Sequence, residues 1–132
     1  MRSNMIFDNL DLDGEFREYD GKVAGISEKI LSDDMDRAER AGKRTRLLRL
    51  KPGVQTPAAH AHEYWEEIYV IEGSMIEGTP ETGESRVVAP AYACREPGFM
   101  HGPIRTDEEC LLIEFSWFPD RPANDEADSG ER

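Results

Sequence analysis

The chain is poor in cysteine, with only Cys94 and Cys110 among 132 residues, and it has no CxxC spacing. That excludes a disulfide framework and a thiolate zinc site, and leaves a buried structural thiol as the expected role for either residue. Long hydrophobic runs are missing too. No stretch approaches the roughly 18 apolar residues of a membrane span, and no apolar signal segment follows Met1, so a cytoplasmic location without membrane contact is expected. Basic residues are the third shortage: 16 Lys and Arg stand against 28 Asp and Glu, for a formal net charge of −12. Nucleic acid is therefore not an expected partner, because neutralising phosphates needs a basic face. The local run Arg40, Lys43, Arg44, Arg46, Arg49 and Lys51 reads as a solvated edge.

What is present suits one soluble domain. The hydrophobic fraction is 38% and the charged fraction 33%, enough for a single moderate core. Residues 1–20 read as an N-terminal arm, in which Ile6, Phe7, Leu10, Leu12, Phe16 and Tyr19 are available to anchor on a core or a second subunit. Residues 21–118 read as the folded body, and 119–132 as an acidic disordered tail with almost nothing to bury. Within the body, strands are expected at 23–31, 45–51, 66–72, 74–77, 85–88, 91–95 and 110–118. Gly73 is expected to make a tight turn between two of them. Residues 32–42 are polar and read as a loop with room for one helical turn. Short strands at regular spacing with Gly/Pro turns indicate an all-β sandwich or barrel.

The chain has three histidines and none is spare. His60 and His62 are two apart, Glu66 lies four beyond His62, and His101 follows the Pro97–Gly98 turn. On a strand, a His-x-His pair directs both rings to one face. Imidazole and carboxylate together suit iron, zinc, manganese, nickel or cobalt, and a later histidine can close such a site from a neighbouring strand.

The stretch Pro52–Gly53, His60-Ala61-His62, Glu66 and Gly73 resembles the first motif of the cupin superfamily. Pro97-Gly98-Phe99-Met100-His101 resembles the second. Three departures stand out: one extra residue between Gly53 and His60, adjacent Pro97 and Gly98, and Arg105 where the family usually has Asn. None removes a ligand. The resemblance implies an all-β jelly roll, or double-stranded β-helix barrel, of six to eight strands. It also implies a divalent metal inside the barrel, held by His60, His62, Glu66 and His101, with Glu67 as the competing carboxylate. Glu66 fits better because Gly73 stands seven residues beyond it, and because Glu66, Ile68 and Val70 would then face inward together.

Around that site, Tyr64, Trp65, Phe99 and Met100 are expected to form an apolar rim, or to fill the barrel mouth or an interface. Glu114 and Ser116 share a strand face that would line the cavity as polar contacts, although a solvent-exposed face is the ordinary outcome of such alternation. Arg95 and Arg105 flank His101 and offer a place for a substrate carboxylate. The wording of both motifs is similar to small single-domain cupins, namely ChrR-type cupin domains and acetylacetone-cleaving dioxygenases. That similarity implies a small-molecule substrate and one divalent ion, with iron first and zinc, manganese or nickel as alternatives. The implied activity is a dioxygenase acting on an enolisable or phenolic compound. The alternatives are a non-redox isomerase or lyase, with Glu67 or Tyr64 moving a proton, and a zinc- or ligand-sensing module without catalysis. A homodimer through Met5–Tyr19 is the expected assembly.

Overall fold

A computed structural model of the chain describes residues 4–19 and 21–119. Among these the regular structure is all strand, with no helix. The strands are β1 (Arg17–Glu18), β2 (Ile26–Asp33), β3 (Lys43–Leu50), β4 (Trp65–Thr79), β5 (Gly83–Val88), β6 (Ala91–Arg95), β7 (Ile104–Arg105) and β8 (Cys110–Trp117). Every pairing between them is antiparallel, and β1-β2-β3-β8-β4 runs across one sheet. The first half of β4 pairs with β8 and β6, and its second half with β5 and β7. One long strand therefore serves both sheets of a jelly roll.

The tight turn expected at Gly73 is instead a bend inside β4. The register shifts between Val70 and Glu72, as in a β-bulge, and Gly73 takes a φ of 84°. A Cβ on Gly73 would lie 1.9 Å from the Glu109 carbonyl oxygen, so only glycine lets the strand cross between sheets at this contact. The first half of the arm is exposed at Ile6 and Phe7, whereas Arg17–Glu18 add a short edge strand and Tyr19 reaches the core. Arg49 lies over Phe16 at 4.2 Å. The acidic tail lies, from residue 120 onward, outside the described residues.

Register explains what fills the interior. Residues directly opposite in an antiparallel pair share a face. Leu48, Leu112 and Val70 form one inward row across β3, β8 and β4; all three are buried. The next row is Arg46, Glu114 and Ile68, and the one beyond it is Arg44, Ser116, Glu66 and Arg95. The interior thus grades from apolar to ionic along the strands. Each fully buried aliphatic side chain in the first row contributes about 1.5–3 kcal/mol.

This grading corrects two expectations. The basic run is solvated only in part: Arg40, Lys43 and Lys51 are exposed, but Arg44 and Arg46 are 5% and 3% exposed, because β3 is a central strand and their positions alternate with its outward residues. Glu114 is likewise buried, not solvated. Burial is tolerated because the charges meet: Arg46 donates to Glu28 at 2.7 Å and to Glu114 at 2.8 Å.

Candidate metal centre

The three histidines come from two irregular segments that lie side by side. His60 and His101 form a bridge with reciprocal backbone hydrogen bonds of 2.9 Å, and the Gly98 N–H donates to the His62 carbonyl at 2.8 Å. Pro97–Gly98 makes the expected turn, closed by Phe99 N–H donating to Glu96 at 3.1 Å. Backbone pairing of this kind sets the rings before any ligand arrives. Ring centroids lie 4.4 Å apart for His60 and His101, 4.8 Å for His60 and His62, and 5.2 Å for His62 and His101. One nitrogen from each falls within 4.8 Å of the other two.

These residues fit a metal ion. An ion about 2.0–2.1 Å from each imidazole nitrogen would bring the nitrogens to roughly 3–3.5 Å of one another, a closure of up to about 1–2 Å from the observed spread, within reach of side-chain rotation. The stronger argument is His101. Its ring is buried, and neither Nδ1 nor Nε2 has a hydrogen-bond partner. A buried polar group left that way costs about 1–3 kcal/mol, which coordination removes.

Glu66 stands beside the triad, with Oε2 3.7 Å from His62 Nε2 and Oε1 3.8 Å from His101 Nε2. Arg95 holds it from behind through Nη1 at 3.1 Å, and also donates to Glu77 at 3.3 Å. Glu67 points to the other face of β4, where the Tyr92 hydroxyl donates to it, and so it takes no part in the site. Strand alternation decides between the two neighbours.

Tyr64 is buried and stacks on His62, with centroids 4.7 Å apart and rings 9° from parallel. Ile68 and Glu114 line the same cavity as the histidines, a space of about 310 Å³. Val70 lies deeper, in the core cluster rather than on the cavity wall. The expected rim is only partly formed. Trp65 stacks on Trp117 on the outer face of the sheet, and Phe99 and Met100 are exposed outside the cavity lining. Arg105 pairs with Glu84 at 3.0 Å, away from the histidines. Among the cavity residues that the sequence does not point to are Tyr19, Arg37 and Arg46. For Arg46 the signal was present, since it alternates in phase with the buried Leu48 and Leu50.

Burial pushes His62 down to about 4, with His60 adding to the effect. It pushes His101 down to about 3, helped by the Arg95 charge. Both rings are neutral at pH 7 and can offer lone pairs. The Glu66 carboxyl is raised to about 7 by burial, then by the charge and hydrogen bond of Glu114, against the pull of Arg95.

A pH dependence follows for the metal-free protein. Below about 6.5 the unfolded chain protonates both histidines while the folded chain does not, so their contribution to stability falls as the pH drops. Glu66 acts in the opposite sense: the folded form holds a proton from about 4.5 up to about 7, and its contribution falls as the pH rises across that range. Glu66→Gln removes the opposing contribution. Its urea midpoint is expected to fall more steeply than the parent's between pH 6.5 and 4.5, and parallel slopes would contradict the assignment.

A jelly roll with a histidine triad at the open end of its cavity defines a cupin with a metal-binding arrangement. Residues 13–117 match the model of the ChrR cupin-like domain, and the chain belongs to that family. No curated protein matches the chain. Solved structures of similar shape include the polyketide cyclase RemF from Streptomyces resistomycificus. It is 23% identical, with a TM-score of 0.66, over 89% of this chain and 83% of that one. An acetylacetone dioxygenase from Acinetobacter johnsonii is 19% identical, with a TM-score of 0.65, over 98% and 83%. An RmlC-like cupin from Shewanella frigidimarina is 16% identical, with a TM-score of 0.62, over 91% and 96%. At these identities the likeness is one of fold.

Proposed function

We propose that the chain is a metal-dependent enzyme, in which His60, His62, His101 and Glu66 hold one divalent ion. Iron is favoured over zinc, manganese or nickel, and the activity is that of a dioxygenase acting on a small enolisable or phenolic compound. The observation that carries this reading is the convergence of three imidazoles on a cavity of about 310 Å³. A closed structural site would not open onto such a space. A divalent ion supplies Lewis-acid polarisation of a bound oxygen and, when redox-active, dioxygen chemistry.

The chain's own residues supply the surroundings. Leu48, Leu50, Ile68, Met75 and Leu112 wall the cavity and favour a compact, largely apolar compound. Tyr64 fixes the plane of His62, and Arg95 orients Glu66. The fold likeness to a protein described as an acetylacetone dioxygenase agrees with an enolisable substrate.

A second reading, a non-redox isomerase or lyase, is favoured by one specific observation. The Glu66 carboxyl is buried and faces His62 and His101 at 3.7 and 3.8 Å, which places it to give and take a proton beside a bound ion. In that case Glu66 carries the proton and the histidines alone hold the ion.

Fe(II)-loaded protein in an oxygen electrode with acetylacetone and catechol separates these readings. Oxygen uptake matched to loss of the compound is the result expected for a dioxygenase. Turnover without oxygen uptake, retained with zinc, supports the second reading. No turnover of any enolisable or phenolic compound in a wider panel would overturn catalysis and leave a sensing module.

A further inference from the structure

Three arginines line the cavity: Arg37, Arg46 and Arg95. Two are committed to the protein's own carboxylates, Arg46 to Glu28 and Glu114, and Arg95 to Glu66 and Glu77. Arg37 differs. It is exposed, and no carboxylate among the described residues pairs with it. Its guanidinium carbon lies 5.6 Å from the centroid of the Tyr64 ring, which in turn stacks on His62. The next best place for a substrate carboxylate, Arg105, is held by Glu84 on the surface.

The segment that carries Arg37 is anchored. Asp36 and Ala41 bridge across the loop between β2 and β3, with backbone bonds of 2.8 and 3.0 Å, and the Glu39 N–H donates to the Asp36 carboxylate at 2.9 Å. Arg40 pairs with Glu63, tying the loop to the segment that carries His62 and Tyr64. Arg37 thus stands at the cavity mouth on a braced loop, with its charge directed at the ring that flanks the metal centre.

Among the described charged residues that line the cavity, Arg37 is thus the cation left available to a ligand, and this has a chemical consequence. In a chain of net charge −12, the long-range field repels anions, so anion capture needs a local donor with free hydrogen-bonding capacity. Arginine supplies a planar fork matched to a carboxylate, and the position of Arg37 over the Tyr64 ring puts that fork beside the histidines while it remains open to solvent.

We infer that Arg37 is a specificity-determining residue that receives a carboxylate on the substrate. The preferred compound is then an enolisable or phenolic acid, with its carboxylate at the mouth and its reacting oxygen toward the histidines. The inference rests on the enzymatic reading above and narrows its substrate class.

The test uses two probes that differ at one position: acetylacetone, and acetylpyruvate, in which a carboxylate replaces one methyl group. Binding to zinc-loaded protein is measured by calorimetry for the parent, Arg37→Ala and Arg37→Lys. The parent is expected to favour acetylpyruvate by about tenfold, Arg37→Ala to bring the ratio close to one, and Arg37→Lys to keep part of it. Thermal melts of the zinc-loaded variants check that each remains folded. Equal binding of both probes by the parent, or a preference that survives Arg37→Ala, would overturn the role of Arg37 and leave the enzymatic reading standing. If neither probe binds, the inference falls together with that reading.

Discussion

His62→Ala is expected to lower metal affinity by at least about 100-fold. Removing a residue that merely orients a ligand typically costs 10–100-fold, and His62 is itself one of three nitrogen donors. The two nitrogens that remain, with Glu66 beside them, leave the site one ligand short. His60 is exposed, and His101 keeps a buried ring that then lacks both a partner and a full coordination shell. The loss should be visible in stability as well as in binding. At a free metal concentration 100 times the dissociation constant, the parent gains about 2.7 kcal/mol, and the variant gains almost none of it. Competition titration with a chelator gives the affinity, and melts with and without zinc give the linked stabilisation. A metal-induced shift in melting temperature equal to the parent's would contradict the ligand role. Because His62 is only half-buried and neutral at pH 7, the metal-free variant should fold normally, which keeps the comparison clean.

Arg46→Met is expected to destabilise the protein by about 3–5 kcal/mol, the usual cost of breaking a buried ion pair from one side. Arg46 lies between two carboxylates, and none of the three is more than 6% exposed. After the substitution, Glu28 keeps Arg17 at 2.9 Å, a partner with 68% of its side chain exposed, and Glu114 keeps Arg44 at 3.6 Å. Neither contact replaces a bond of 2.7–2.8 Å made in the interior. Typical domains have only about 5–15 kcal/mol in total, so the effect is a large share. Adding Glu114→Leu should recover part of the loss, since an apolar pair can substitute for a buried ionic one. Urea denaturation of the single and double variants measures both terms. A single-variant cost below about 1 kcal/mol would place these charges with ordinary surface pairs.

The histidine cluster is legible in the sequence because coordination chemistry restricts residue types and spacing. Period-two alternation also puts Glu66, and not Glu67, on the inner face of β4. The ionic layer was not readable in the same way. Arg44, Arg46 and Glu114 look like solvated charges until β3 is known to be central and Glu114 to lie directly opposite Arg46. Register between strands distant in sequence supplies that information, and composition does not. Gly73 was recognised as special, yet a bulge and a turn demand the same backbone freedom, and only pairing with both sheets distinguishes them. Trp65, Phe99 and Met100 were placed at the rim by proximity in sequence to the ligands, whereas alternation in β4 and the turn before His101 carry them outward.

The most direct measurement is the metal content of tag-free protein after anaerobic reconstitution and removal of loosely bound ions. Close to one divalent ion per chain is expected in the parent. Protein that retains no metal after reconstitution, while folded by circular dichroism, would contradict it.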